Sequence, residues 1–203
     1  MCMSEKLTMT AIILAGGKSS RMGQDKALLK FGEETLLERL VNLGNLLFSE
    51  ILVIVNERAK LDGLDLGKAS VYEDLFEGQG PLAAIYTGLL YSQELASCVL
   101  TCDMPFVDEF LIRELVGFWE EGFDAICLEG PDGSYQPFPG VYCCTSRFLI
   151  RSLLDHGENS MKQFFQIADI KHVVLQQERA AVLTNMNNME DYHQALKWKE
   201  RFG

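Results

Sequence analysis

The thirteen residues from Leu14 to Lys26, Leu-Ala-Gly-Gly-Lys-Ser-Ser-Arg-Met-Gly-Gln-Asp-Lys, hold three glycines and three cations. Glycine lets backbone N–H groups approach phosphate oxygens because no Cβ stands in the way, and Lys18, Arg21 and Lys26 concentrate positive charge. This is the composition of a phosphate site. The stretch follows directly on an apolar run, Thr10 to Ala15, that reads as a strand, and open α/β sheets bind ligands beyond the C-terminal ends of their strands. The plainer alternative is a glycine turn with solvated lysines.

Two better-known phosphate motifs are nearly present. Gly17-Lys18-Ser19 matches the end of a P-loop, but G-x-x-x-x-G-K-[ST] requires glycine where this chain has Ile12. Gly78-Gln79-Gly80-Pro81-Leu82-Ala83 fits G-x-G-x-x-A, yet it follows an acidic loop instead of the first strand, so it is misplaced for a dinucleotide fingerprint. A second centre is Asp103, just past the apolar run Ser97 to Thr101 and ahead of Met104-Pro105. A carboxylate there can hold Mg²⁺ through oxygen while phosphate oxygens complete the coordination. Its plainer role is to cap the following helix.

The elements that must position these groups follow from periodicity. Short apolar runs alternate with stretches of helical spacing, which predicts β-α-β units around a mostly parallel sheet. Strands are expected at Thr10–Ala15, Ile51–Val55, Val71–Tyr72, Ser97–Thr101, Ala125–Leu128, Gly140–Cys143 and His172–Leu175. Helices are expected over Leu36–Leu47, from Pro81 to about Tyr91, over Phe110–Phe118, Ser146–Leu154 and Met161–Ile167, and from Met189. Pro81 suits a first helical turn, where its missing N–H has no partner to lose.

At 203 residues with 48% hydrophobic and 23% charged residues, the chain has the composition of one folded domain spanning 1–203. Its net charge of -11 repels a polyanion, which argues against nucleic acid as a partner. The apolar stretch Ala11–Ala15 is far shorter than a signal-peptide core or a membrane span, so the expected location is the cytoplasm, with no membrane partner. The six cysteines, Cys2, Cys98, Cys102, Cys127, Cys143 and Cys144, show no C-x-x-C pairing and read as reduced thiols, most of them in apolar runs.

Taken together, these residues resemble the molybdenum cofactor guanylyltransferases, within the Rossmann-like nucleotidyltransferases. Leu14 to Lys26 is similar to that family's L-A-G-G-x-S-x-R-M-G-x-D-K signature. Val55-Asn56, Glu73-Asp74, Gly80-Pro81-Leu82-Ala83 and Cys102-Asp103-Met104-Pro105-Phe106 follow in the family's order, with looser matches at Gln136-Pro137 and Asn185-Met186-Asn187. Ala84 replaces a glycine usual in the family, and Asn188-Met189 stands where Thr-Pro is common.

The resemblance implies a three-layer α/β nucleotidyltransferase fold and transfer of GMP from GTP to the phosphate of molybdopterin, or of molybdenum-bound molybdopterin, with release of pyrophosphate. It implies GTP contacts at Leu14, Ala15, Gly16, Gly17, Lys26, Asn56, Asp74, Gly80 and Asp103, with Asp103 also holding Mg²⁺. Arg21, Lys26 and Asp103 would serve the phosphate-transfer centre, and Gln136, Asn185 and Asn187 the pterin side. Hand-over of the product implies cofactor-synthesis or delivery proteins as partners. None of the three histidines falls in a motif, which suits a phosphate monoester nucleophile: its second pKa of roughly 6 leaves it ionised without a general base. Alternatives are a cytidylyltransferase or another nucleotidyltransferase with the same phosphate machinery, and a noncatalytic nucleotide-binding or cofactor-delivery protein.

Overall fold

A mostly apolar run, Leu7–Leu14, forms β1, an interior strand of a seven-stranded sheet. The pleat sends Ala11 and Ile13 into one core and Ile12 and Leu14 into the other, so both faces of β1 are buried. The computed structural model describes residues 5–16, 25–130, 133–174 and 182–202. The remaining strands are β2 (Lys30–Phe31), β3 (Glu34–Thr35), β4 (Phe48–Val55), β5 (Ser70–Glu73), β6 (Ala96–Thr101), β7 (Ala125–Glu129), β8 (Tyr135–Cys143) and β9 (Ile170–Val174). The helices are α1 (Leu36–Leu47), α2 (Pro81–Tyr91), α3 (Glu109–Gly117), α4 (Ser146–Asp155), α5 (Met161–Ile167) and α6 (Met189–Phe202).

The sheet order is β5-β4-β1-β6-β8-β7-β9, and β2 and β3 form a separate antiparallel pair. Pairings β1–β4, β1–β6, β4–β5 and β7–β9 are parallel, whereas β8 runs antiparallel to both β6 and β7. The expected mostly parallel α/β sheet is therefore observed, interrupted by one reversed strand. Helices α1, α3 and α6 cover one face with Leu37, Leu111 and Ala195, while α2, α4 and α5 cover the other with Leu82, Ile150 and Phe164. This is a three-layer arrangement.

Helix α1 starts at a capping box in which the Thr35 hydroxyl accepts from Glu38 N and the Glu38 carboxylate accepts from Thr35 N. Proline opens α2 as expected. Two elements differ from the sequence reading. Strand β8 begins at Tyr135, five residues before the expected Gly140, because Pro137 and Pro139 conceal a strand that carries them at an irregular register, between the Leu128↔Gln136 and Cys127↔Gly140 pairs. The Phe138–Pro139 peptide there is cis. The small β2–β3 pair carries no apolar run and was not expected from the sequence. Leu175, the expected end of β9, lies outside the described residues.

Candidate active site

The parallel strands β1, β4, β5 and β6 all end on one edge of the sheet, and a cavity of about 390 Å³ opens there. Leu14, Ala15 and Gly16 enter it from the end of β1, and Asn56 and Asp74 from just after β4 and β5. Gly80 and Pro81 bring the start of α2, and Thr101, Cys102 and Asp103 come from the end of β6. Asp25 and Lys26 also line it. Every described residue assigned to the nucleotide from the sequence thus borders this one cavity. Gly17 and Arg21, with the rest of the segment 17–24, lie outside the described residues.

Each wall residue is held locally. Ala15 N donates to Ile54 O at 2.9 Å, and Asp74 N donates to Val55 O at 2.7 Å, which carries the ladder just past the strand ends. A Cβ on Gly16 would lie 2.6 Å from Asn56 Oδ1 and 3.2 Å from Asn56 N, so a larger residue here would have to displace the asparagine side chain. Gly80 sits at φ 84 and forms the N-cap of α2, a conformation that also favours glycine. Asp74 Oδ1 accepts from Thr87 Oγ1 at 2.9 Å and from Phe76 N at 3.1 Å, tying the β5–α2 turn to α2.

Asp103 does not cap α3; Asp108 does, accepting from Leu111 N at 2.8 Å. Asp103 is half-buried, and its Oδ1 accepts from Thr101 Oγ1 at 2.6 Å. Its main-chain oxygen accepts from Met186 N at 2.7 Å, and Met186 O accepts from Lys26 Nζ at 2.6 Å. Met186 is buried, so the segment before α6 ties the lysine and the aspartate to one fixed backbone. From the other side, Arg39 of α1 donates through Nε to Pro105 O at 2.9 Å and through Nη2 to Val107 O at 3.3 Å.

Asp25 was not singled out from the sequence, yet it borders the cavity beside Asp103. Burial, followed by the negative charges of Asp103 and Asp25, pushes the Cys102 thiol well above its ordinary range. Both carboxylates therefore act on the same buried thiol. Asp25 could have been noticed as the only acid within the glycine-rich segment. Phe138, another wall residue, gave no signal because it lies in a proline-flanked stretch.

Gln136, Asn185 and Asn187 do not border the cavity. Gln136 is half-buried on β8, where its amide donates to Ser134 Oγ at 3.4 Å. Asn185 and Asn187 flank Met186, and Asn187 N donates to Asp191 Oδ2 at 2.7 Å at the start of α6. The cysteines match expectation within the described residues: Cys98, Cys102 and Cys127 are buried free thiols, and Cys143 and Cys144 are partly exposed free thiols. Cys2 lies outside those residues. No helix among the described residues is long and apolar enough to cross a membrane.

A three-layer α/β fold with a cavity at the strand ends, edged by a lysine and three aspartates, defines a nucleotidyltransferase. The chain belongs to the family described as the MobA-like NTP transferase domain, whose model matches residues 11–178. It is 33% identical over 194 residues to a protein of Carboxydothermus hydrogenoformans named "Probable molybdenum cofactor guanylyltransferase", covering 93% of this chain and 95% of that one. Its fold is similar to that of molybdopterin-guanine dinucleotide biosynthesis protein A from Archaeoglobus fulgidus, with TM-score 0.81 and 18% identity over 96% of this chain and 100% of that one. A Mycobacterium tuberculosis H37Rv protein crystallised in complex with manganese has the same fold, with TM-score 0.65 and 16% identity over 95% of this chain and 100% of that one.

Proposed function

We propose that this enzyme transfers GMP from GTP to the phosphate of molybdopterin, or of its molybdenum-bound form, forming the guanine dinucleotide and releasing pyrophosphate. The observation that carries this reading is the joining of Lys26 and Asp103, through Met186, at one cavity whose walls also include Gly16 and Asn56. The name of the Carboxydothermus relative supports the choice of substrates.

In this reading an oxygen of the acceptor phosphate attacks the α-phosphorus of GTP in line. A new P–O–P bond forms, the α–β anhydride breaks, and its electron pair leaves with pyrophosphate. The protein supplies position and charge. Asn56 and Asp74 stand at the far strands and meet the nucleoside, while the end of β1 and Gly80 approach the phosphates through backbone. The Lys26 ammonium neutralises charge moving onto the leaving oxygens, and Arg21 does so from the glycine-rich segment.

The donor chemistry of the cavity fits a divalent cation such as Mg²⁺. Asp103 and Asp25 offer hard carboxylate oxygens, and among the described residues no group of three or more His, Cys, Asp or Glu forms a closed cage. Such a cation takes one or two protein carboxylates and leaves its other positions to water and phosphate oxygens. When bound at Asp103 it would supply electrostatic stabilisation of the triphosphate charge.

The test is a panel of nucleoside triphosphates incubated with purified molybdopterin and Mg²⁺, with pyrophosphate and dinucleotide measured together. GTP is expected to give both products, and Lys26→Ala and Asp103→Ala are each expected to lower the rate at least about a hundredfold. Release with CTP in place of GTP would overturn the guanylyl reading in favour of a cytidylyltransferase. Nucleotide binding with no pyrophosphate from any triphosphate would overturn the transfer itself.

A further inference from the structure

Beyond the cavity, on the same edge of the sheet, the strand ends carry a group of open aromatic rings. Tyr135 at the start of β8 stacks on His172 of β9, with ring centroids 4.0 Å apart and planes inclined by 23°. Phe165 of α5 flanks Tyr135 at 6.4 Å. Tyr135 keeps 52% of its surface exposed, and Val174, level with it across β7 through the Glu129 pairing, keeps 68%. Folding usually covers stacked aromatic surface, since burying it is favourable. Here Tyr135 and His172 both stay exposed.

Its position relative to the cavity follows from strand order. The cavity is walled by β5, β4, β1 and β6, and its β8 wall is Phe138. Because β8 runs antiparallel to its neighbours, its first residues reach the edge where β6 and β7 end. Tyr135 lies three residues from Phe138 along β8, at most about 10 Å at strand spacing. On the α2 side, Gly80 of the cavity wall abuts the loop before α5: a Cβ there would meet Asn159 O at 3.7 Å. The open rings thus continue the cavity along β8, on the side away from the strands assigned to the nucleoside.

We propose that the Tyr135–His172 stack, flanked by Phe165, is the platform on which the flat pyrimidinone ring of the acceptor's pterin lies while its phosphate reaches the transfer centre. The proposal rests on the transferase reading above and adds to it the group that recognises the ring. A flat heterocycle gains most from a π-face, which the amides of Gln136, Asn185 and Asn187 do not offer. Adjacent residues of β8 point to opposite faces, so Tyr135 presents a ring on the α5 side while Gln136 lies with Leu128 on the other. The strand end can then contact one ligand with a stacking surface and a hydrogen-bonding edge.

The experiment measures binding of purified molybdopterin to the full-length protein by equilibrium ultrafiltration under anaerobic conditions, and measures KM for molybdopterin and for GTP in the transfer assay. Tyr135→Ala is expected to weaken molybdopterin binding roughly tenfold, with KM for GTP unchanged. Tyr135→Phe, which keeps the ring, is expected to bind as wild type does, and His172→Ala to fall between them. Thermal unfolding checks that the variants fold, and the exposure of Tyr135 makes a large change in stability unexpected. Wild-type affinity for molybdopterin in Tyr135→Ala would overturn the platform while leaving the transfer reading intact. Wild-type protein that binds the pterin through Tyr135 yet transfers no GMP would sink the transfer reading and support the platform. Absence of any molybdopterin binding by the wild type would overturn the platform whatever the transfer assay gives.

Discussion

Thr101 donates its hydroxyl proton to Asp103 Oδ1 at 2.6 Å across the end of β6. The bond engages one carboxylate oxygen and so fixes the direction in which the other can meet a cation or phosphate-bound water. A hydrogen bond to a charged group contributes about 1.5–3 kcal/mol. Thr101→Val keeps the shape and removes the donor. It is expected to raise the Mg²⁺ concentration for half-maximal GMP transfer roughly tenfold, while the rate at saturating Mg²⁺ changes little. Titration of the apparent metal requirement in both proteins checks this, and an unchanged requirement would show that the hydroxyl does not position the carboxylate.

Arg39 acts on the same aspartate from further away. Its guanidinium clasps the carbonyls of Pro105 and Val107, two points on the turn that follows Asp103. Arg39→Ala is expected to lower kcat roughly tenfold with KM for GTP nearly unchanged, since the aspartate loses its aim and the nucleoside contacts remain. Arg39→Lys should recover little, because an ammonium lacks the fork that reaches both carbonyls. Equal loss in kcat and in nucleotide affinity would mean that Arg39 supports the cavity as a whole.

The capping box of α1 carries a pH dependence. The Thr35 backbone N–H, and then its side chain, hold the Glu38 carboxyl below its ordinary value of 4.5. A carboxyl lowered in the folded state adds stability above the unfolded value, and that stability is lost as pH falls from about 4.5 through the folded value. Glu38→Gln keeps a capping acceptor but removes the charge, and is expected to cost about 0.5 kcal/mol at neutral pH and to soften the acid side of the stability curve. Urea unfolding at pH 7 and at pH 3 measures both. Equal differences between wild type and variant at the two pH values would contradict the assignment.

The thiols should divide by burial. Burial pushes Cys98 and Cys127 up to about 12 and Cys102 further in the same direction, whereas Cys143 and Cys144 are partly exposed. Iodoacetamide at pH 8 is expected to label Cys143 and Cys144 in the native protein and to reach Cys98, Cys102 and Cys127 only in denaturant. Peptide mapping by mass spectrometry reads the outcome. Native labelling of Cys102 would show that the cavity floor opens to solvent.

Much of the fold was legible because the strand and helix periods differ. Helix α2 was expected from Pro81 to Tyr91 and is found there, because proline marks its first turn and its apolar residues follow. Strand β8 was legible only from Gly140 onward, since prolines at 137 and 139 hide a strand whose irregular register accommodates them. The glycines and cations between Leu14 and Lys26 marked a phosphate site through composition alone, as backbone access and charge are local properties.

What the chain order could not disclose is which groups share a wall. Asp25 and Asp103 are far apart in sequence yet border one cavity, on the edge where the neighbouring strands β1 and β6 end. Met186 carries no chemical signal of its own, yet its backbone links Lys26 to Asp103, since any peptide group can donate and accept. Tyr135 and His172 become a stack only when β9 pairs with β7. Residue types and local periods settle chemistry and secondary structure within a few turns of chain. Contacts between distant segments are settled by strand pairing and core burial, which act through space, and so the tertiary structure alone decided them.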